Sequence, residues 1–198
     1  KDISQEFLRT FEEIEFGAAG IGLVYPDGRY QLSFWNENKF TNEIKNKNLE
    51  EAFNKNDVAV IYDYTSNNKL REVDWVSGAA MIVRKDVFEI VKGFDEDFFL
   101  FYEDADVCKR LKTKGFKTYY FPFDGLVHYK GENVNEYFFT DTYYYSKKSQ
   151  LLYYKKHNSL YERILLRIYL LGKFTFRSMS ERKDINMKIL KLIFGAGK

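Results

Sequence analysis

Six acidic side chains lie close together in the sequence, on both sides of an apolar run at residues 98–102. They are Asp95, Glu96, Asp97, Glu103, Asp104 and Asp106. Carboxylates that face an aromatic wall lose hydration, and their pKa values rise toward the range in which they exchange protons. His128, one of only two histidines, follows further along the chain. These residue types could supply a catalytic base and a metal ligand.

A structural explanation of the same acids remains open. If residues 103–114 form a helix, Glu103, Asp104 and Asp106 lie in or near its first turn. Capping and the helix dipole favour acidic residues there without any catalytic role. For His128, taken alone, a structural role is also the favoured interpretation.

The elements that would position these residues follow from periodicity and turn signals. Short apolar or β-branched segments with flanking turn residues are predicted as strands, at residues 18–25, 30–35, 58–62, 72–76, 78–83, 117–121 and 126–129. Helices are predicted at residues 4–15, 49–53, 85–91 and 103–114. Gly93 and Gly115 follow the last two and are expected to end them. Residues 94–102 are expected to form a loop that brings its acids to the mouth of the site.

The net charge changes sign along the chain. Residues 1–142 carry 18 basic and 26 acidic side chains, a net charge of −8, whereas residues 143–198 carry 13 and 3, a net charge of +10. The second part has apolar residues at helical spacing between its basic ones. Such helices can lie in a membrane interface or pack one face on the rest of the protein, and both remain open. No uncharged stretch reaches the ~20 residues that span a bilayer.

Composition narrows the class of protein. The chain has 45% hydrophobic and 30% charged residues, which is typical of a globular protein and not of a disordered one. Cys108 is the single cysteine, so no internal disulfide can form, and this suits a reducing cytoplasm. Its position among apolar residues of the predicted helix indicates a small core residue.

One set of residues in a constant order and spacing resembles a known family. The set is Gly78-Ala79, Arg84, Gly93-Phe94-Asp95-Glu96, Phe98-Phe99, Glu103-Asp104-Ala105-Asp106, Gly115-Phe116, Pro122 and His128. It resembles the carboxyl-terminal half of the catalytic domain of family-2 inverting glycosyltransferases, in their rhamnosyltransferase-like branch.

The resemblance implies a fold and a domain organisation. Residues 1–134 would be the acceptor-binding, catalytic half of an α/β domain of GT-A type, with a partial mixed sheet and flanking helices. Residues 135–198 would be a basic segment of amphipathic helices. The nucleotide-binding half would precede residue 1, and the chain is therefore expected to be a fragment.

The resemblance also implies an activity. A sugar would pass from a nucleotide-diphosphate donor to a hydroxyl of a glycan or lipid-linked acceptor, with inversion, in cell-surface polysaccharide synthesis. The enzyme would be cytoplasmic and peripheral on the inner face of the plasma membrane, with an anionic membrane surface as a partner and no nucleic acid.

Roles for individual residues follow from the same resemblance. Asp104 matches the family's catalytic base, and Glu103 would position the acceptor or tune that base. Asp106 would support the loop or cap the helix. The acceptor side would be formed by Trp75, Gly78, Asp95 and Glu96, although core packing is an equal explanation of the tryptophan.

A divalent metal, Mg²⁺ or Mn²⁺, is implied as the clamp on the departing diphosphate. His128 matches a position that adds a ligand in some relatives, and one imidazole in an oxygen-rich site suits Mn²⁺. The remaining ligands are expected in the nucleotide-binding half.

Two other classes of function compete with this one. A noncatalytic module that binds glycans or a membrane surface would need no donor half. The basic, aromatic carboxyl-terminal segment could instead bind nucleic acid. Against the second, the rest of the chain is acidic, and the basic residues alternate with Leu and Ile in helical register.

Overall fold

The structure, a computed structural model, describes Arg9 and residues 14–65, 70–129, 141–180 and 184–195, with the backbone alone at positions 123 and 124. Within these residues it is a mixed α/β fold with a mixed sheet and flanking helices, as predicted, and it is consistent with part of a GT-A fold. The chain divides into two compact units. The second contains the carboxyl-terminal helices together with residues 38–40 and 96–103, and the first contains the rest.

The described part of the first unit contains two sheets. Their strands are β1 (Ala18–Val24), β2 (Tyr30–Gln31), β3 (Phe34–Trp35), β4 (Arg71–Val73), β5 (Trp75–Val76), β6 (Met81–Val83) and β7 (Thr118–Val127). In the larger sheet, β7 runs parallel to β1 along one edge, and β4 pairs antiparallel with β7. Strands β2 and β6 pair antiparallel with successive stretches of β1. In the smaller sheet, β3 pairs antiparallel with β5.

Strand β1 lies at the centre of the larger sheet because its residues are small or apolar. Its side chains are buried from Ala18 to Leu23. A Cβ at Gly20 would lie only 2.5 Å from Cβ of Val76, so no larger residue fits there without displacing that side chain. The close approach brings β5 against the middle of β1.

The described helices alternate with the strands and then follow them. They are α1 (Glu43–Asn54), α2 (Val58–Thr65), α3 (Lys85–Ile90), α4 (Glu103–Thr113), α5 (Asp141–His157), α6 (Leu160–Ser180) and α7 (Asp184–Ile193). Gly93 and Gly115 follow α3 and α4 with φ of +70° and +89°, a conformation that glycine adopts without strain. Both predicted helix ends are therefore confirmed. The loop predicted at residues 94–102 contains no helix or strand.

The strand predicted at residues 58–62 is wrong, because this segment is helix α2. The Oδ1 atom of Asp57 accepts hydrogen bonds from the N–H groups of Ala59 and Val60, at 3.1 and 3.2 Å. This capping satisfies donors of the first helical turn, and Ile61 is the one side chain of α2 that is buried. Capping and the burial of one face thus outweigh the β propensity of the valines.

The two strands predicted on either side of Pro122 are one strand, β7. The pairing of β7 with β1 shifts register between Ile21 and Leu23, beside the proline. Proline cannot donate to a sheet, but an irregular position needs no donor, so the strand continues. The same prediction failed in the opposite way at residues 30–35 and 72–76, which each form two short strands in different sheets.

Three further segments differ from the prediction or lie outside the described residues. Residues 78–80, predicted as the start of a strand, form a 3-10 turn before β6. The short helix predicted at residues 49–53 is the carboxyl-terminal part of α1. The helix predicted at residues 4–15 lies almost entirely outside the described residues.

Each unit has its own apolar core. In the first, Val76, Val107, Cys108 and Leu111 are fully buried between α4 and the sheets, as predicted for the cysteine. Burial raises the pKa of the Cys108 thiol to about 12. In the second, buried residues of α5, α6 and α7 form the core, namely Tyr153, Tyr154, Leu166, Leu170, Phe174, Ile189 and Ile193.

Candidate active site

The carboxylate of Asp104 is held at the start of α4 by two backbone N–H groups. Its Oδ2 accepts a hydrogen bond from Gly78 at 3.0 Å, and its Oδ1 accepts one from Ala105 at 2.8 Å. The side chain is half-buried. The two donors give the carboxylate of Asp104 a defined orientation.

The donor at Gly78 is positioned by the 3-10 turn before β6. Ser77 begins this turn, and its Oγ accepts a hydrogen bond from the N–H of Ala79 at 3.3 Å. A Cβ at position 78 would lie 3.6 Å from Cβ of Asp104, which is ordinary contact. The geometry therefore needs the N–H of residue 78 and does not exclude a small side chain there.

Two residues with unusual backbone conformations precede α4. Phe101 and Tyr102 have φ of 65° and 68°, which places bulky side chains in the left-handed region. Residues of this kind store strain and are found preferentially at active sites and switch regions. No signal in the sequence predicts this conformation, because aromatic residues rarely adopt it.

Glu103, the first residue of α4, has an unusual carboxylate. Its Oε2 is buried and makes no hydrogen bond within the described part of the chain. A buried polar atom without a partner is rare in a native protein and needs an explanation, such as a catalytic or ligand-binding role. This observation supports the role predicted for Glu103.

Asp106 has a structural environment. Its side chain is fully buried and pairs with Arg110, Oδ2 to Nη2, at 2.7 Å. Arg110 also donates to the carbonyl oxygens of Val91 and Gly93, which follow α3. Asp106 thus supports the segment after α3, in line with the structural role predicted for it.

The other three acids of the loop differ in their surroundings. Asp95 is half-buried and Glu96 is exposed, while Asp97 forms an ion pair with Lys156 at 2.7 Å. In residues 14–65, 70–129, 141–180 and 184–195, no group of three His, Cys, Asp or Glu side chains could hold a metal ion.

Trp75 packs within the first unit. Its ring stacks on Trp35 with centroids 4.2 Å apart and planes at 13°, and its Nε1 donates to the carbonyl oxygen of Asn36 at 3.1 Å. The side chain is half-buried against the core. These contacts favour the packing explanation of Trp75 over a sugar-binding wall, since one face of the ring is already covered.

His128 lies just after β7, beside the carboxyl end of β1. Its N–H donates to the carbonyl oxygen of Val24 at 2.9 Å, and its ring Nδ1 lies 2.9 Å from Oε1 of Gln31. Ligands of open α/β sheets bind outside the carboxyl ends of parallel strands, which is where His128 lies. The sequence pattern did not predict Gln31 as its partner, because the two residues are far apart in the chain.

A cleft in the first unit is lined by none of the predicted site residues. Its volume is about 440 Å³, and its walls include Trp35, Tyr64 and two ion pairs. These pairs are Glu72 with Lys117, at 2.8 Å, and Asp74 with Lys112. This cleft therefore does not identify the candidate active site. The site is identified by the hydrogen bonds of Asp104.

Asp104 and Gly78 belong to the set of residues that resembles rhamnosyltransferase-like glycosyltransferases. The comparisons with known proteins confirm this resemblance. The chain is 35% identical over 96 residues to rhamnosyltransferase WbbL of Escherichia coli (strain K12), a match that covers 48% of this chain and 36% of WbbL.

A second match is longer and less close. Over 125 residues the chain is 29% identical to N-acetylglucosaminyl-diphospho-decaprenol L-rhamnosyltransferase of Mycobacterium tuberculosis. This match covers 57% of this chain and 35% of that protein. The chain thus spans little more than one third of the length of these curated relatives. No family model and no solved structure matches it.

Proposed function

We propose that this chain is the acceptor side of an inverting glycosyltransferase that transfers L-rhamnose, or a related sugar, from a nucleotide-diphosphate donor. The acceptor is a hydroxyl of a glycan or of a lipid-linked sugar diphosphate used in cell-surface polysaccharide synthesis. The observation that carries the proposal is the carboxylate of Asp104, held by Gly78 in a chain similar to two rhamnosyltransferases.

Asp104 acts as the general base in this mechanism. The acceptor oxygen attacks the anomeric carbon while the carboxylate takes the hydroxyl proton, and the bond to the nucleoside diphosphate breaks on the opposite face. A base must lie within hydrogen-bond reach of the proton that it removes. The two N–H groups that bind the carboxylate limit its rotation, so the acceptor hydroxyl meets a base of constant direction.

Glu103 binds the acceptor in the same proposal. Its buried Oε2 lacks a hydrogen-bond donor among the described residues, and a sugar hydroxyl could supply one. Asp95 and Glu96 lie in the preceding loop, where they could contact further hydroxyl groups of the acceptor.

A divalent metal, Mg²⁺ or Mn²⁺, would neutralise charge on the leaving diphosphate when bound. His128 could supply one ligand, because a metal-binding histidine usually has an oxygen beside its other ring nitrogen, and Nδ1 of His128 lies 2.9 Å from Oε1 of Gln31. The described residues do not supply a full set of ligands. The remaining ligands would come from a nucleotide-binding half like the one that the resemblance predicts.

An assay on the full reading frame that contains this chain tests the proposal. We expect transfer of rhamnose from its activated nucleotide to a lipid-linked N-acetylglucosamine diphosphate, with inverted configuration at the anomeric carbon by NMR. A panel of other nucleotide sugars identifies the donor. Absence of transfer from every donor, with binding to glycans or vesicles intact, would favour the noncatalytic alternative.

Association with a membrane surface is a second part of the proposal, and α6 supports it. Apolar side chains exposed by 46% or more follow one side of this helix, namely Leu160, Tyr161, Ile164, Ile168, Tyr169, Phe176 and Met179. None of the described helices is long and apolar enough to cross a bilayer. A helix of this kind can instead lie in the interface.

The basic residues of α6 lie nearer its packed side than its exposed apolar side. Arg167 donates to the carbonyl oxygen of Ile193, and the Nζ of Lys173 lies 5.9 Å from the ring of buried Phe174. Attraction to anionic lipid would therefore come mainly from exposed lysines of the neighbouring helices, such as Lys148 and Lys155 on α5.

Vesicle sedimentation tests this part. We expect binding to anionic vesicles that weakens as salt is raised and is lost on truncation after residue 134. Ile168→Glu should weaken it, whereas Asn54→Glu, the same added charge at an exposed position of α1, should have a much smaller effect. Equal binding to neutral and anionic vesicles would remove the electrostatic contribution.

A further inference from the structure

One buried side chain, that of Gln31, connects the ends of three strands. Gln31 is 5% exposed and lies on β2. Its Nε2 donates to the carbonyl oxygen of His128 at 2.7 Å and to that of Val24 at 3.3 Å. Because β1 lies between β2 and β7, the amide reaches across the end of β1.

The two carbonyl oxygens determine which way the amide faces. A carbonyl oxygen can only accept a hydrogen bond, so the amide group near both of them must be the NH₂ group. The amide oxygen of Gln31 is then the atom near the His128 ring, 2.9 Å from Nδ1. Since this oxygen can also only accept, Nδ1 must carry the proton. In the neutral ring the lone pair is then on Nε2.

We propose that Gln31 is a positioning residue that holds His128 in the Nδ1–H tautomer and leaves Nε2 as the nitrogen that accepts a proton or binds a metal. The use of Nε2 as a ligand rests on the proposed function, whereas the tautomer itself does not. A partner that accepts from the second ring nitrogen also restricts rotation of the ring and raises its basicity as a ligand. A backbone carbonyl or carboxylate usually has this role, and here a buried amide has it.

The tautomer can be measured directly, because the chain has only two histidines, His128 and His157. We would label their imidazole nitrogens with ¹⁵N and record long-range proton–nitrogen spectra of the whole chain at a pH about two units above the ordinary histidine pKa of ~6.5. His157→Gln assigns the two rings. We expect a protonated Nδ1 and an unprotonated Nε2 for His128. A proton on Nε2, or averaging between the two nitrogens, would overturn the proposal.

Substitutions at position 31 separate positioning from packing. Gln31→Met keeps the length of the side chain without an acceptor, and His128 should lose its preference for Nδ1–H. Gln31→Glu loses the two hydrogen bonds that the NH₂ group donates but keeps an acceptor beside Nδ1, so His128 should keep that preference. Ser33→Ala is the control, because it removes a different buried polar group, a hydroxyl that donates to the carbonyl oxygen of Ile21 at 3.4 Å. A folded Gln31→Met chain with an unchanged tautomer contradicts the proposal, and if that variant does not fold, the wild-type and Glu spectra decide.

Titration with Mn²⁺ links the tautomer to the proposed ligand role. If Nε2 binds the ion, paramagnetic broadening should begin at His128, and Gln31→Met should need ~10-fold more Mn²⁺, the lower end of the usual loss when such a partner is removed. Broadening that is equal in the two chains would count against Gln31 as a positioning residue. Absence of broadening in the wild type would contradict the metal role under the proposed function, while the spectra without metal still decide the tautomer.

Discussion

Helix α4 carries one aspartate on each of two sides. The two carboxylates differ in burial and in their hydrogen-bond partners. Asp104 and Asp106 are two residues apart, so at 3.6 residues per turn their side chains project from nearly opposite sides of the helix. Asp104 is half-buried, and backbone N–H groups bind it. Asp106 is completely buried and pairs with a guanidinium group. The same residue type on one helix therefore has a rim position suited to chemistry and a core position suited to stability.

The two carboxylates therefore have different expected functions. Substitution of Asp106 would remove the buried partner of Arg110 and destabilise the fold. The hydrogen bonds that orient Asp104 come from the backbone N–H groups of Gly78 and Ala105. The comparison predicts that substitutions on the two sides affect different measurements.

The largest expected effect is on stability, at Asp106. Asp106→Ala removes a fully buried carboxylate and leaves the guanidinium of Arg110, which is 24% exposed, without this partner. The free energy of unfolding should decrease by about 3 kcal/mol, measured by urea denaturation. Asp86→Ala is the matched control, because Asp86 also pairs with an arginine, Arg84 at 2.6 Å, but on the exposed surface. We expect little change for the control. Equal losses for the two variants would show that burial of the Asp106 pair has no special importance.

The next effect is on activity, at Asp104. Asp104→Asn should reduce turnover of the full enzyme by at least ~100-fold, the usual scale for loss of a general base. Its unfolding free energy and its affinity for the donor should change little. Turnover close to that of the wild type would assign the base to another residue, with Glu103 the next to test.

Substitutions at Gly78 test whether its backbone N–H orients the carboxylate of Asp104. Gly78→Pro removes the N–H at the first position of a 3-10 turn, where proline is usually tolerated, and Ser77 before it already has the extended backbone that proline requires. We expect a decrease in kcat of ~10-fold, within the cost of losing one hydrogen bond to a charged group. Gly78→Ala keeps the N–H and should retain most activity. A similar decrease in both variants would indicate a steric effect.

The elements that could be predicted from sequence are those with local signals. Residues 85–91 and 103–114 each begin a helical pattern and end near a glycine whose positive φ the structure confirms. Helix α2 differs from the predicted strand because its valines favour a strand, whereas the capping by Asp57 stabilises a helix. Strand β7 was divided because Pro122 was expected to end it, and the register shift that accommodates it depends on β1.

The candidate site could be predicted only residue by residue. The motif identified Asp104, Gly78 and His128, but not their contacts. The hydrogen bond from the N–H of Gly78 to Asp104 depends on the packing of α4 beside the 3-10 turn. The pair of Gln31 and His128 depends on the order of three strands, because the partners are 97 positions apart in the chain. No spacing rule within one element could have found either contact.

The smallest effect concerns Cys108, which lies one helical turn after Asp104 on α4 and is completely buried. Burial raises the pKa of its thiol from an ordinary 9.0 to about 12. A group with a raised pKa in the folded state contributes full stability below its unfolded pKa and loses it as the pH rises toward the folded value. The unfolding free energy should therefore decrease by about 1 kcal/mol between pH 9 and pH 10, before the phenol of Tyr120, whose ordinary pKa is 10.0, contributes a loss of its own. Urea denaturation of the wild type and of Cys108→Ala at the two pH values measures this contribution, because the variant lacks the thiol. Equal pH dependence in the two proteins would mean that the thiol of Cys108 is less buried than the structure shows.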